Sequence, residues 1–309
     1  MRIYILSRNE NLYSTKRLVQ EATAKGWEVK VIDYLKCTIE IMKGELLVNY
    51  EGKLLPIPDA IIPRIGASKT FYGAAMVRHF EMQDVFSTTG NLALTRSRDK
   101  LRSLQVLSKN DVDLPRTVFA SNKSNAKDVI ALSGGAPLVL KILEGTQGVG
   151  VVLVDSKKAA KSVLDAFYGM DVNLLVQEYI EEANGTDIRA FIVDNEVVGA
   201  MKRQGVEGDF RSNLHQGGSA VAYKLSRKEK ATAIAAARAM GLGVCGVDMI
   251  PSKRGPLVME VNSSPGLEGI EKSTNINIAQ KIMDYIEKNI KPKSSNTQKR
   301  KIKKDNIGA

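Results

Sequence analysis

Two acids stand inside short apolar runs near the end of the chain, in Val247-Asp248-Met249-Ile250 and in Val258-Met259-Glu260-Val261-Asn262. Runs of this length bounded by turn residues read as strands, and a carboxylate placed in one is costly unless something compensates its charge. Side chains alternate along a strand, so Glu260 and Asn262 share a face. The segment Pro251-Ser252-Lys253-Arg254-Gly255-Pro256 turns the chain and brings Asp248 beside them. Two readings are open from spacing alone. The two carboxylates and the amide oxygen hold a hard cation such as Mg²⁺, or the acids face solvent or pair with Arg or Lys.

The rest of the 309 residues is long enough for more than one core. Residues 3–6 are apolar, 12–25 are helix-compatible and 27–32 return to strand-like residues, a βαβ opening. With an apolar segment at 59–63 and helical character over 71–82, residues 1–97 predict a small α/β domain with a parallel sheet. Residues 98–109 predict one helix, and Asp113-Leu114-Pro115 punctuates the chain before Thr117-Val118-Phe119. Strands at 138–143, 149–154 and 174–179 with a helix at 157–167 make residues 98–185 an α+β unit. A third unit, 186–290, holds a hairpin of 187–193 with 196–202 through Asp194-Asn195, a helix over 227–240 and the two acid-bearing strands.

Composition narrows the class. Hydrophobic residues at 43% and charged residues at 26% are globular usage. The opening apolar run turns polar at Ser7, too soon for a signal peptide, and no run of eighteen apolar residues occurs, so a cytoplasmic protein without membrane contact is expected. Cys37 and Cys245 suit a reducing compartment and read as small buried hydrophobes. Of the net charge of +11, residues 291–309 carry +6, which predicts a disordered basic tail that either solubilises the chain or contacts ribosomal RNA. A non-catalytic RNA-binding protein is the competing class; the concentration of charge in one segment and the 6% of aromatics argue against it.

Three further segments carry candidate chemistry. Glu144-Gly145-Thr146-Gln147-Gly148-Val149-Gly150 follows the strand that bears Lys141. Its glycines allow backbone N–H groups to approach phosphate oxygens beside that lysine, although an ordinary turn has the same composition. Gln177-Glu178-Tyr179-Ile180 leads to Thr186-Asp187-Ile188-Arg189, an extended stretch suited to an adenine edge with Asp187 toward ribose hydroxyls. Residues 208–218 gather glycine, arginine, asparagine and His215 in a polar loop. His215 reads as a base or as a positioning residue, His79 as structural.

The order Asp99-Lys100, Lys141, glycine-rich hairpin, Gln177-Glu178-Tyr179-Ile180, then Asp248, Glu260 and Asn262 resembles the ATP-grasp superfamily. Pro63-Arg64-Ile65-Gly66, Phe71-Tyr72-Gly73, the run from Glu207 to His215 and the run from Met259 to Glu271 are similar to the RimK-type alpha-L-glutamate ligases, the ribosomal protein modification enzymes. The likeness spans residues 1 to about 290 and leaves out the tail. It implies an α/β and α+β protein, an ATP-grasp fold with an N-terminal pre-ATP-grasp parallel-sheet domain. It also implies ATP as co-substrate, with Lys100, Lys141, Gly145, Thr146, Gln147 and Gly148 at the phosphates, Glu178 and Tyr179 at adenine and Asp187 at ribose. Arg211, Ser212 and Asn213 complete that pocket. Asp248 with Glu260, and Glu260 with Asn262, would hold two Mg²⁺ ions, with Mn²⁺ as a substitute.

The reaction so implied passes through an acylphosphate, with Arg203 and Arg211 stabilising charge. Glutamate is added to a C-terminal carboxylate, that of the sixth protein of the small ribosomal subunit or of a growing poly-alpha-glutamate chain. Alternatively an amino acid is added to a small acceptor, as in lysine biosynthesis or coenzyme tailing. Free glutamate needs cationic partners for its carboxylates; Arg64, Arg189 and Arg203 are candidates, and each reads equally as an ion-pair partner. A homo-oligomer such as a tetramer belongs to the same resemblance.

Overall fold

The computed structural model describes residues 1–121, 125–143, 150–206, 210 and 217–290. The strand Arg2–Leu6 pairs in parallel with Glu28–Ile32 on one side and Ala60–Pro63 on the other, and Phe86–Ser87 closes the sheet. Its apolar residues are covered on both faces, which is what a nearly unbroken hydrophobic strand requires. Between the second and third of these strands the chain makes an antiparallel meander, Cys37–Met42, Glu45–Tyr50 and Lys53–Leu54, that sequence reasoning does not anticipate. Its second turn, Glu51-Gly52, has positive φ at both residues, the geometry that suits a tight hairpin.

Two antiparallel sheets follow. The first runs Val151–Val154, Leu138–Ile142, Leu174–Glu178, Thr117–Ala120. Leu138, Leu140, Leu174 and Val176 point to the helices Ala126–Leu132 and Lys157–Gly169, so Lys141 and Gln177 point to the opposite face. The second has five strands in the order Ser219–Ala222, Glu196–Gln204, Thr186–Val193, Val244–Ser252, Gly255–Asn262. One face carries Ile188, Ala190, Ile192, Val247, Met249 and Val258 against the helices Lys100–Lys109 and Arg227–Met240.

The other face of this sheet changes character along its strands. Phe191, Val193, Met201 and Val244 pack on the helix Ile278–Asn289 and, through it, on the N-terminal sheet. Two to four residues further along these strands the same face bears Asp187, Arg189, Arg203 and Asp248. Period-two alternation thus fixes both the core and the charged row. The first helix, Tyr13–Ala24, is locked to this unit by Glu271, which accepts from the Tyr13 hydroxyl and Arg17 Nε at 3.0 Å each. Glu271, the end of the run from Met259, therefore serves docking.

The helix expected over 98–109 is found as Lys100–Lys109; a further helix that was not expected, Asn91–Arg98, precedes it, and the two are broken at Asp99. Asp99 is extended and its carboxylate accepts the Arg102 N–H at 2.9 Å, the N-cap role that a short acceptor side chain fills better than a helix interior. The break sends Arg98 and Lys100 in different directions. Among the described residues no helix is long and apolar enough to cross a membrane.

Candidate active site

Strand register brings the acids and arginines into one row. Asp187 lies opposite Arg203, Arg189 opposite Asp248, and Asp248 opposite Glu260. Arg203 Nε donates to Asp187 Oδ1 at 2.6 Å, and its Nη2 donates to the other Asp187 oxygen and to Asp248 Oδ2 at 2.9 Å. Arg189 grips Asp248 through two nitrogens, at 2.6 and 2.5 Å. Positive and negative groups alternate, so each buried charge has a partner: Asp187 and Asp248 are 2% exposed and Arg203 5%. Burial alone would raise Asp248, but Arg189 and Arg203 outweigh it and hold the carboxyl well below the usual range. Burial likewise pulls Arg189 and Arg203 down, and Asp248 raises both above the ordinary guanidinium value.

Gly246 makes room for this row. A Cβ there would lie 3.1 Å from Pro265 and 3.6 Å from Arg189 Nε. A β-bulge between Asp248 and Met249 adds a residue to the partner strand, so that Val258 pairs with Met249 and Glu260 with Asp248. Without that extra residue Glu260 would turn to the other face.

Glu260 differs from its neighbours. Its carboxylate accepts no hydrogen bond among the described residues, and it is open to solvent although protein surrounds it, as at the floor of a cleft. Burial and then the Asp248 charge raise its pKa, with Arg189, Lys141 and Arg203 opposing. A carboxylate with both oxygens free, next to a second carboxylate, suits a divalent cation. Asp248 uses three of about four acceptor positions on its arginines, leaving one. Asn262 Oδ1 accepts the Ser264 N–H at 2.9 Å and keeps one lone pair. The three residues fit a cation with Glu260 as the principal ligand.

Two lysines border this floor. Lys141 Nζ donates to Gln177 Oε1 at 2.7 Å, and Gln177 in turn donates to the Thr117 hydroxyl at 2.8 Å, which aims the ammonium across the uncovered face of its sheet. Burial lowers Lys141 to about 8, with Glu260 opposing the change. Lys100 Nζ, sent inward by the break at Asp99, donates to the carbonyls of Ile142 at 3.2 Å and Leu143 at 2.7 Å; its pKa is lowered by burial.

The adenine and ribose candidates are placed as follows. The Glu178 carboxylate accepts from the Arg116 N–H at 2.6 Å and from Arg254 in the turn between the acid-bearing strands. The N–H groups of Glu178 and Tyr179 are directed to the carbonyls of Arg116 and Pro137. The Tyr179 ring stands edge-on to Phe210, with 6.3 Å between centroids. Asp187 is committed to Arg203. Gly145, Thr146, Gln147, Gly148, Arg211, Ser212, Asn213 and His215 lie outside the described residues, as do residues 291–309. Arg64 stands apart from the paired arginines, next to Arg98, a residue the motif reading passed over. Both cysteines are buried, Cys37 with its thiol pushed up to about 12, and His79 is buried against the Leu47 carbonyl with a lowered pKa.

A RimK-like ATP-grasp domain model matches residues 97–286, and a RimK PreATP-grasp domain model matches residues 1–94. The chain belongs to the RimK-like ATP-grasp family. It is an ATP-dependent ligase. It is 60% identical over 300 residues to the probable alpha-L-glutamate ligase of Vibrio vulnificus strain YJ016, covering 97% of this chain and 100% of that one. The protein of the same name from Saccharophagus degradans is 58% identical over 298 residues, 96% of this chain and 99% of its own. Among solved structures, the ATP-grasp ligase PsnB, complexed with a phosphomimetic variant of its minimal precursor, Mg and ADP, superposes with a TM-score of 0.73. That match has 19% identity and covers 94% of this chain and 98% of PsnB, a likeness of fold.

Proposed function

We propose that this ligase joins the amine of free L-glutamate to a C-terminal carboxylate of an acceptor peptide, using ATP and Mg²⁺ in the cytoplasm. The observation that carries the reading is the 60% identity, over nearly the whole chain, to a probable alpha-L-glutamate ligase. The acceptor carboxylate attacks the γ-phosphorus of ATP; a new P–O bond forms as the bond to the β-phosphate oxygen breaks and ADP departs. The amine then attacks the acyl carbon, the C–N bond forms, a proton passes to solvent, and the C–O bond to phosphate breaks.

Positioning and charge can supply the catalysis, with no protein nucleophile. Lys141 and Lys100 suit the phosphates, and the paired Arg189 and Arg203 keep the carboxylate row rigid. A divalent ion held by Asp248 and Glu260, and a second by Glu260 and Asn262, would supply positive charge at the phosphates; Mn²⁺ can replace Mg²⁺.

The acceptor we favour is the sixth protein of the small ribosomal subunit, with a poly-alpha-glutamate chain as a second product. The test is an amino-acid panel with acceptor peptides, read by ADP release and product mass. A mass increment of one or more glutamyl residues is expected. Consumption of a small acceptor with no glutamyl increment on any peptide overturns the reading. The basic segment 291–309 would add contact with ribosomal RNA, read as salt-dependent co-sedimentation that is lost on its deletion.

A further inference from the structure

The strand Ala60–Pro63 ends at a corner formed by Arg64 and Ile65. Ile65 is buried so close to the helix Thr70–Glu81 that a Cβ on Gly73 would lie 2.3 Å from its side chain. The Arg64 N–H continues the sheet by donating to the Leu6 carbonyl at 2.9 Å. The base from which the Arg64 guanidinium projects is therefore rigid, and this is the physical link between Pro63-Arg64-Ile65-Gly66 and Phe71-Tyr72-Gly73.

Arg98 reaches the same corner from the end of the helix Asn91–Arg98. Its Nη2 donates to the Ile65 carbonyl at 2.6 Å, while its buried Nε has no hydrogen-bond partner. Arg64 makes no side-chain hydrogen bond or ion pair among the described residues, and it sits in a recess, partly open to solvent yet surrounded by protein. Burial, and after it the neighbouring Arg98 charge, pull Arg64 down to about 10. Two neighbouring guanidiniums with no acid bonded to either among the described residues, and only the more remote Glu260 charge acting on Arg98, are unfavourable in the free protein, and a carboxylate between them relieves both desolvation and repulsion.

The chemistry of the reaction separates the carboxylates that could sit there. The acceptor carboxylate must be phosphorylated, so its place is beside Lys141 and Glu260. A carboxylate with both oxygens engaged by two guanidiniums is not the one phosphorylated and is a bystander, near enough to the transfer that Arg98 feels the Glu260 charge. Free glutamate carries two bystander carboxylates in every turnover, whereas the acceptor's reacting residue carries one only where it is itself an acidic residue. We infer that Arg64 and Arg98 together form a carboxylate-binding subsite for the free dicarboxylic amino acid, holding one of its carboxylates while its amine reacts. This rests on glutamate being the amine donor, as proposed above.

The test uses the full chain with Arg64→Met, Arg98→Met and the charge-retaining Arg98→Lys. Steady-state constants are measured for glutamate, glutamine, ATP and acceptor peptide, and fold is checked by circular dichroism. The KM for glutamate should rise at least tenfold in both methionine variants and less in Arg98→Lys, with the KM values for ATP and acceptor unchanged. If the pair reads the side-chain carboxylate, the preference for glutamate over glutamine collapses; if it reads the α-carboxylate, both amino acids weaken together. An unchanged glutamate KM in folded, active variants overturns the subsite and leaves the ligase reading standing, as does an effect confined to ATP or acceptor. A wild-type enzyme that fails with glutamate while using another amine overturns the ligase reading itself, and this assignment with it.

Discussion

Arg189 and Arg203 on the five-stranded sheet are each bonded to aspartates, whereas Arg64 and Arg98 at the corner of the parallel sheet are bonded to no acid among the described residues. The first pair is internally neutralised and serves to build the carboxylate floor. The second keeps its charge for a ligand. Glu260 is the acidic counterpart of the second kind, a carboxylate left free beside one that is spent. Residue type alone does not distinguish scaffold from binding group here; what distinguishes them is whether the fold has already satisfied the charge.

Breaking the satisfied set should have the largest effect. Asp187→Ala leaves Arg203 buried and half-paired, and a loss of about 3–5 kcal/mol in urea unfolding is expected. A loss under about 1 kcal/mol would mean that the row is dispensable to the fold. Glu260→Gln attacks the unsatisfied set instead. It should reduce turnover on the order of a hundredfold or more and leave unfolding midpoints unchanged or higher, because it removes a carboxylate that burial and Asp248 already disfavour. Retained turnover at ordinary Mg²⁺ concentration would remove Glu260 from the site.

A pH series sharpens the comparison at Lys141. Its folded-state pKa, about 8, lies below the ordinary lysine value of 10.5. The unfolded chain therefore binds more protons between these values, and its burial penalty is relieved as pH rises from about 8 toward 10.5. Phosphate binding needs the charged form, so ATP affinity should fall up to about tenfold between pH 7 and 9, with proton uptake on binding, and Lys141→Arg should flatten the profile. An equally steep profile in Lys141→Arg would place the titration elsewhere.

The smallest expected change is in the stability of Arg64→Met. Because the guanidinium has no acidic partner among the described residues, unfolding free energy should move by less than about 1 kcal/mol. A loss of several kcal/mol would show Arg64 to be part of the scaffold and erase the contrast with Arg203.

Much of this was legible in the residues. Period-two alternation placed Glu260 and Asn262 on one face, but the turn alone would set Asp248 opposite Met259; the bulge that brings it opposite Glu260 was not legible, because it is a property of strand pairing. The helix Arg227–Met240 and the hairpin through Asp194-Asn195 lie where their patterns put them. The helix Ile278–Asn289 was equally readable from Ile278, Ile282, Met283 and Ile286 at helical spacing, but its apolar face was passed over. The break at Asp99 was harder, since a single acceptor side chain inside a helical pattern is either a cap or a surface residue.

The sequence by itself determined the ATP-grasp class, the acid-bearing strands and the family, because alternation, turn residues and motif order are local along the chain. Only the tertiary structure decided which charged residues are spent. Arg189 and Arg64 look alike in sequence; strand register sets one against Asp248, and the packing of Ile65 on Gly73 sets the other beside Arg98. Pairing depends on distances between residues remote in sequence, and in a buried site those distances fix which charges are compensated and which remain to bind.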